Sequence, residues 1–332
     1  MRIATYNVEW FSALFDDDGA LLADSEWSAR YNVKRHQQLE ALGIVFTALD
    51  ADAIMIIEAP DSHSKRDGVT ALENFARHFD LRTRKAVMGF INETQQEIAL
   101  LFDPEKLSAR HDPQGYPRFD ESYRIDLDVD AEADEVRWSK PPLELAIETS
   151  NGIQLRMIGV HAKSKAPHGA RNDDEVMRIA IQNRRKQLAQ CIWLRERVDD
   201  HLDAGDPMVV LGDFNDGPGL DEFEKLFGRS GVEIVIGSES DICLYDPHAE
   251  TVMQRKTGGL MPSSARFWIK DSNRWMQALL DYIMVSPDLR EKANNWRIWH
   301  PFDDPAIADI QELKNALLTA SDHFPVSVEL DI

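Results

Sequence analysis

The sequence predicts an α+β or α/β layered fold in which one sheet packs on another and helices cover the outer faces. Two observations carry this. Short β-branched runs such as Ala53-Ile54-Met55-Ile56-Ile57 read as strands covered on both faces. Between such runs lie stretches whose apolar residues recur at helical spacing.

Taken in order, Arg2 to Glu9 alternates and is rich in β-formers, so it predicts a strand ending in polar side chains. Leu39, Leu42, Val45, Phe46 and Leu49 predict a helix over 33–49, followed by the strand at 53–57. Val69, Leu72, Phe75, Ala76 and Phe79 mark a second helix. Glu97 to Phe102, Leu143 to Thr149 and Ile153 to Val160 predict further strands, while Asp112 to Pro142 is acidic, Pro-interrupted and reads as a long loop or edge excursion. Asn172 to Asp200 predicts a long helix with Val176, Ile179, Leu188, Ile192 and Val198 on one side. Pro207 to Leu211 predicts a buried strand, and Leu220, Phe223, Leu226 and Phe227 a short helix after it. Leu279 to Val285 and Phe324 to Leu330 close the chain as strands. No internal repeat, low-complexity tract or Gly/Ser linker marks a domain boundary.

Hydrophobic residues make up 43% of the 332 and charged residues 29%, an ordinary globular composition. The 58 Asp+Glu outweigh the 37 Lys+Arg, for a formal net charge of -21. Such a surface repels long polyanions, whereas nonspecific duplex binders draw affinity from Lys and Arg. A small phosphorylated substrate is therefore favoured over duplex DNA. Cys191 and Cys243 form no metal spacing, and a disulfide framework is not expected. No run approaches the roughly 18 apolar residues of a membrane span, and the N-terminus lacks a signal-peptide core, so the expected address is cytoplasmic.

The chemistry gathers where predicted strands meet polar residues. Asn7 follows Ile3-Ala4-Thr5-Tyr6, Glu58 follows Ile54 to Ile57, and His161 follows Met157-Ile158-Gly159-Val160. Asp213 and Asn215 follow Val209-Val210-Leu211-Gly212, Asp281 precedes Tyr282 to Val285, and Ser321-Asp322-His323 precedes Phe324-Pro325-Val326. Singly, each has a plain alternative: Asn and Asp belong in turns, Glu at solvated strand ends, His in a hydrogen-bonded core. Together they fit polar groups converging on one rim of a sheet, where ligand sites lie.

These pieces resemble the endonuclease/exonuclease/phosphatase superfamily, which contains pancreatic deoxyribonuclease, AP endonucleases, inositol polyphosphate 5-phosphatases and neutral sphingomyelinases. The matching segments are Thr5-Tyr6-Asn7-Val8, Ile57-Glu58, Gly159 to Lys165, Gly212-Asp213-Phe214-Asn215, Leu280 to Ile283 and Ser321 to Val326. Gly-Asp-Phe-Asn and Ser-Asp-His are the specific ones. The resemblance implies an α+β fold, a four-layer α-β-β-α sandwich of two packed mixed sheets flanked by helices, forming a single domain over 1–332. His161, where AP endonucleases typically carry an aromatic, resembles the deoxyribonuclease and sphingomyelinase branch. Ala162 departs from the Leu common there, a change in packing rather than chemistry.

The implied activity is hydrolysis of a phosphodiester with Mg²⁺ or Mn²⁺. Mg²⁺ prefers oxygen ligands, usually one or two carboxylates with water and phosphate. Glu58 is the expected primary ligand, with Asn7 as carbonyl donor and Asp322 as a second or water-mediated carboxylate. Asp213 is expected to orient or deprotonate the attacking water and Asn215 to hold it or the phosphate. His323 would contact a phosphoryl oxygen or transfer a proton, oriented by Asp281, and His161 would stabilise the transition-state charge. Lys163 and Lys165 are expected at the substrate phosphate. Arg184, Arg185 and Lys186 could bind substrate phosphate as well, but Arg184-Arg185-Lys186 on a helix reads by default as a solvated face. Arg266, Phe267, Trp268, Arg274 and Trp275 form an aromatic and basic segment suited either to specificity or to packing. The alternatives are a nuclease on single-stranded or damaged nucleic acid, a phosphomonoesterase, and a catalytically dead binding module.

Overall fold

Alternating side chains on the strands and one-sided apolar stripes on the helices sort the chain into layers. The structure, a computed structural model, describes residues 1–125, 134–167, 169–218, 227–238, 241–254, 261–269 and 273–332. Its strands are β1 (Arg2–Asn7), β2 (Ala53–Ala59), β3 (Lys85–Met88), β4 (Glu97–Phe102), β5 (Leu107–His111), β6 (Ser122–Ile125), β7 (Asp134–Arg137), β8 (Leu143–Thr149) and β9 (Gln154–His161). There follow β10 (Met208–Asp213), β11 (Ala265–Ile269), β12 (Arg274–Ala278), β13 (Asp281–Val285), β14 (Ala293–Ile298) and β15 (Val326–Leu330). One mixed sheet runs β14-β15-β1-β2-β4-β3, a second runs β13-β10-β9-β8-β5, and β6-β7 and β11-β12 are two-stranded pairs.

The longer helices are α1 (Arg35–Leu49), α2 (Gly68–His78), α3 (Asp173–Asp203) and α4 (Gln311–Ala320). Helices α1, α2 and α4 bury Leu42, Phe46, Phe75 and Leu317 against the first sheet. Helix α3 buries Leu188, Cys191, Trp193, Leu194 and Val198 against the second. Between the sheets, Ile3, Met55, Ile57, Met157, Leu211, Ile283 and Val326 form a core of their own. The order is helix, sheet, sheet, helix: the α-β-β-α sandwich.

Some expectations change. The 112–142 stretch is not merely loop: β6 and β7 pair within it, and Phe119 and Trp138 are buried against Trp193 of α3. Apolar anchors hidden among acidic residues hold that excursion to the helix. Val176, expected on the buried side of α3, is 41% exposed, in first turns where Asp174, Met177 and Arg178 are exposed as well. The helix expected around Leu220, Phe223 and Leu226 lies outside the described residues, and Phe227 is partly buried on the α3 side. β3, β5 and β14 were not foreseen, being half-exposed edge strands with weak alternation. Among the described residues, no helix is long and apolar enough to cross a membrane.

Candidate active site

Register assembles the site. Asp213 at the end of β10 pairs with Asp281 of β13 on one side and His161 of β9 on the other, placing three polar residues abreast on adjacent strands. Strand alternation then decides their direction. Leu211, Met157 and Ile283 point between the sheets, so Asp213, His161 and Asp281, each an even number of residues away, point there too. Asn7 lies four residues beyond Ile3 of that core and arrives from the other sheet. Polar groups thus close the end of the inter-sheet core.

Gly212 makes the close pairing feasible. Its φ is +138°, and a Cβ there would stand 2.1 Å from the Val160 carbonyl oxygen. Glu58 breaks the alternation instead. It is the extra residue between the Ile57–Ile98 and Ala59–Glu97 pairs, with φ +62°, a bulge that re-aims a side chain at the edge of a site.

Asp213 is 1% exposed. Its Oδ1 accepts from the Asn215 backbone N–H at 2.7 Å, and its Oδ2 accepts from Asn7 Nδ2 at 3.0 Å and Asn215 Nδ2 at 3.1 Å. The same Oδ2 stands 3.6 Å from His161 Nε2 and 4.0 Å from His323 Nε2. His323 Nδ1 meets Asp281 Oδ2 at 2.7 Å. One oxygen each of Asp213 and Asp281 and one nitrogen of His323 all lie within 4.8 Å of one another.

Burial pushes the Asp213 carboxyl up to about 7, with Asp281 adding to the rise and His323 and the hydrogen bonds pulling back. Burial works against a charged His323, but Asp281 and Asp213 outweigh it and hold the imidazole well above its ordinary range. His161 moves the other way: burial, with the charges of Lys140 and His323, drives it well below, so it is neutral at pH 7.

On the neighbouring rim, Glu58 Oε2 accepts from the Trp10 backbone N–H at 2.9 Å and Gln96 Nε2 at 2.7 Å. Its Oε1 has no hydrogen-bond partner among the described residues. The Asp322 carboxylate faces Glu9, whose own carboxyl burial and Asp322 raise to about 7. Glu58 acts on Glu9 as well, which draws Glu9, Glu58 and Asp322 into one acidic edge. Asn7 Oδ1 is buried without a hydrogen-bond partner among the described residues. An orphaned buried amide oxygen beside a carboxylate with an open oxygen suits a hard divalent cation, and these residues fit one. In the Asp213–Asp281–His323 group one hydrogen bond joins His323 Nδ1 to Asp281 Oδ2, while Asp281 Oδ1 is also buried without a partner among the described residues, so this cluster too offers atoms to a cation.

The expected lysines diverge. Lys163 is half-buried, its ammonium lowered by burial and by Lys186. Lys165 Nζ is bound to Asp216 Oδ1 at 2.6 Å, and Asp216 is fully buried. Arg184, expected on a solvated face, is 1% exposed and reaches the same oxygen at 2.6 Å. A buried carboxylate demands such compensation, and Asp216 at the end of the turn supplies the reason.

Sequence reasoning missed Lys140, Ser264, Gln96 and Glu9. Lys140 Nζ lies 3.2 Å from His161 Nε2, with burial lowering its pKa and Glu58 and Asp213 opposing. Ser264 Oγ donates to Asp281 Oδ2 at 2.8 Å and accepts from the backbone N–H groups of Leu280 and Asp281. Position at a strand end could have flagged Glu9, one residue beyond Val8, and Lys140, just before β8. Nothing in the sequence marks Ser264 or Gln96, which act from loops.

The aromatic and basic segment is a hairpin. Ala265 bridges to His323, and the Arg266 backbone N–H donates to the Asp322 carbonyl at 2.7 Å, tying it to the site.

The family described as "Endonuclease/Exonuclease/phosphatase family" matches residues 4–323. Among solved structures, the chain is similar to a 3'-5' exonuclease from Neisseria meningitidis, at 17% identity and a TM-score of 0.52, with 100% of each chain covered. It is similar to TDP2 from Caenorhabditis elegans at 12% identity and a TM-score of 0.52, covering 99% of this chain and 74% of that one. A family protein from Bacteroides thetaiotaomicron has 15% identity and a TM-score of 0.52, with 99% and 94% covered. At such identities these structures speak for the fold alone. No curated protein matches the chain. With strand-end residues Asn7, Asp213 and His323 all inside the matched span, the chain belongs to the endonuclease/exonuclease/phosphatase family.

Proposed function

We propose that the protein is a phosphodiesterase dependent on Mg²⁺ or Mn²⁺, acting on a small phosphodiester in preference to duplex DNA. The carrying observation is the buried Asp281–His323 pair beside Asp213, with the Asn7 amide oxygen left over. Glu58 and Asn7 would hold the cation, with Asp322 reaching it directly or through water. When bound, it neutralises phosphoryl charge and lowers the pKa of water.

Asp213, fixed by three hydrogen bonds, orients the attacking water and takes its proton. The water oxygen bonds to phosphorus while the ester P–O bond on the opposite side breaks, its electron pair leaving on the ester oxygen, which departs as an aryloxide or takes a proton from solvent as an alcohol. His323, charged against Asp281, donates from Nε2 to a phosphoryl oxygen, and neutral His161 stands beside Asp213 where transition-state charge grows. Asn215 keeps Asp213 in place and faces the phosphate. Lys163 and Lys140 contact the anion, and Lys165 with Arg184 anchors the loop through Asp216.

The test uses bis-p-nitrophenyl phosphate, p-nitrophenyl phosphate, plasmid and single-stranded DNA with Mg²⁺ or Mn²⁺, each with an EDTA control. Metal-dependent cleavage of the diester is expected, reduced at least about a hundredfold by Asp213→Ala or His323→Ala. Silence on every substrate overturns the reading. A second reading, a nuclease on single strands, rests on Arg266 stacked 3.8 Å over Trp275 beside half-exposed Trp268, since aromatic faces stack bases. Single-strand cleavage outpacing the diester selects it.

A further inference from the structure

A cavity of about 350 Å³ opens beside the catalytic cluster and shares Asn215 with it. One wall is the β11-β12 hairpin, where Phe267 pairs with Met276, so that these two and Ile269 lie on one face and Trp268 and Trp275 on the other. Another part of the lining comes from α3, through Ala180 and Arg184, and Leu280 lines it next to Asp281.

Among the described residues, several polar groups of the lining are turned to partners of their own. Lys165 and Arg184 reach Asp216, Ser164 Oγ accepts from the Ala166 backbone N–H at 3.3 Å, and Asn215 Nδ2 donates to Asp213 and to the Ala162 carbonyl. What the described residues turn to the cavity is mostly hydrocarbon, from Ala166, Pro167, Ala180, Phe267, Met276 and Leu280. A sugar or inositol hydroxyl placed there would lose its water for few partners among the described residues, whereas methylene or aryl carbon would gain from burial. The volume sits within the range of small-molecule sites, about 300–1,000 Å³.

We infer that this cavity receives an uncharged hydrocarbon substituent of the substrate, so that the enzyme prefers phosphodiesters bearing an alkyl chain or an unsubstituted aryl ring. This rests on the phosphodiesterase reading and narrows its substrate class. The net charge of -21 agrees, since affinity drawn from apolar burial needs no basic surface.

The experiment is a series of 4-nitrophenyl phosphodiesters with one leaving group and a varied second ester: methyl, butyl, hexyl, phenyl and thymidine-5'. With Mg²⁺, kcat/KM is expected to rise on the order of fourfold per methylene until the cavity fills. The phenyl ester should match butyl or hexyl, and the thymidine ester should fall below them. Hexyl outrunning phenyl indicates a lipid-like source of the group, and the reverse an aryl one. Ala180→Trp, which fills the cavity from outside the catalytic set, should flatten the series while leaving the methyl ester unchanged. The same esters titrated into His323→Ala by calorimetry should show the same trend in Kd. A series flat in both readouts, or a thymidine ester preferred to phenyl and hexyl, overturns the inference. Loss of all turnover with the Kd trend retained overturns the phosphodiesterase reading and leaves the apolar site standing.

Discussion

His323 Nδ1 and Asp281 Oδ2 stand 2.7 Å apart, and Ser264 Oγ donates to that same carboxylate oxygen from 2.8 Å. The pair fixes which imidazole nitrogen faces Asp213 and keeps the ring charged. Asp281→Asn removes the charge and keeps the shape. Turnover should fall about a hundredfold or more, the scale for an electrostatic or acid-base group. The His323 imidazole signal in NMR should titrate at lower pH than in the wild type, because the carboxylate that raises its pKa is gone. An unchanged titration would detach Asp281 from the role assigned to it.

Glu58 holds a left-handed backbone, a strained conformation for a residue with a Cβ. Such strain persists where the carboxylate direction matters. With Glu58→Gln, the rise in Tm that Mg²⁺ or Mn²⁺ should produce in the wild type is expected to shrink or vanish, since stabilisation follows metal affinity. A full metal-induced shift in the variant would move the ion elsewhere.

Gly212→Ala tests the packing beneath the site. The new methyl would need room now held by the Val160 carbonyl 2.1 Å away, at a φ that disfavours side chains. A loss of about 2–4 kcal/mol in denaturant unfolding is expected, together with reduced activity as Asp213 and His161 lose register.

Glu97, paired with Ala59 on the strand next to Glu58, carries a pH signature of its own. Burial raises its carboxyl to about 7, opposed by the Asn92 backbone N–H and aided by Asp61. A folded pKa above the unfolded value favours the protonated form, so the stability it contributes is present below about pH 4.5 and is lost as pH rises through 7. Glu97→Gln should flatten the decline of Tm across that window. An unchanged slope would mean that Glu97 is ionised when folded.

Much of the fold was legible along the chain, because β-branched runs and helical stripes are local consequences of what each element must bury. β1, β2, β9, β10 and β13 and their terminal polar residues could be read directly, and the order of Asn7, Glu58, His161, Asp213, Asp281 and His323 sufficed to suggest a family. What only tertiary structure decided was which residues meet. Pairing across β9, β10 and β13 set Asp281, Asp213 and His161 abreast. A single bulge redirected Glu58. Lys140, Ser264 and Gln96 entered from loops whose sequence carries no period. Arg184 looked solvated from the polarity of its neighbours, yet the buried Asp216 draws it inward. Secondary structure follows from short-range pattern; charge compensation and side-chain direction depend on partners dozens or hundreds of residues away.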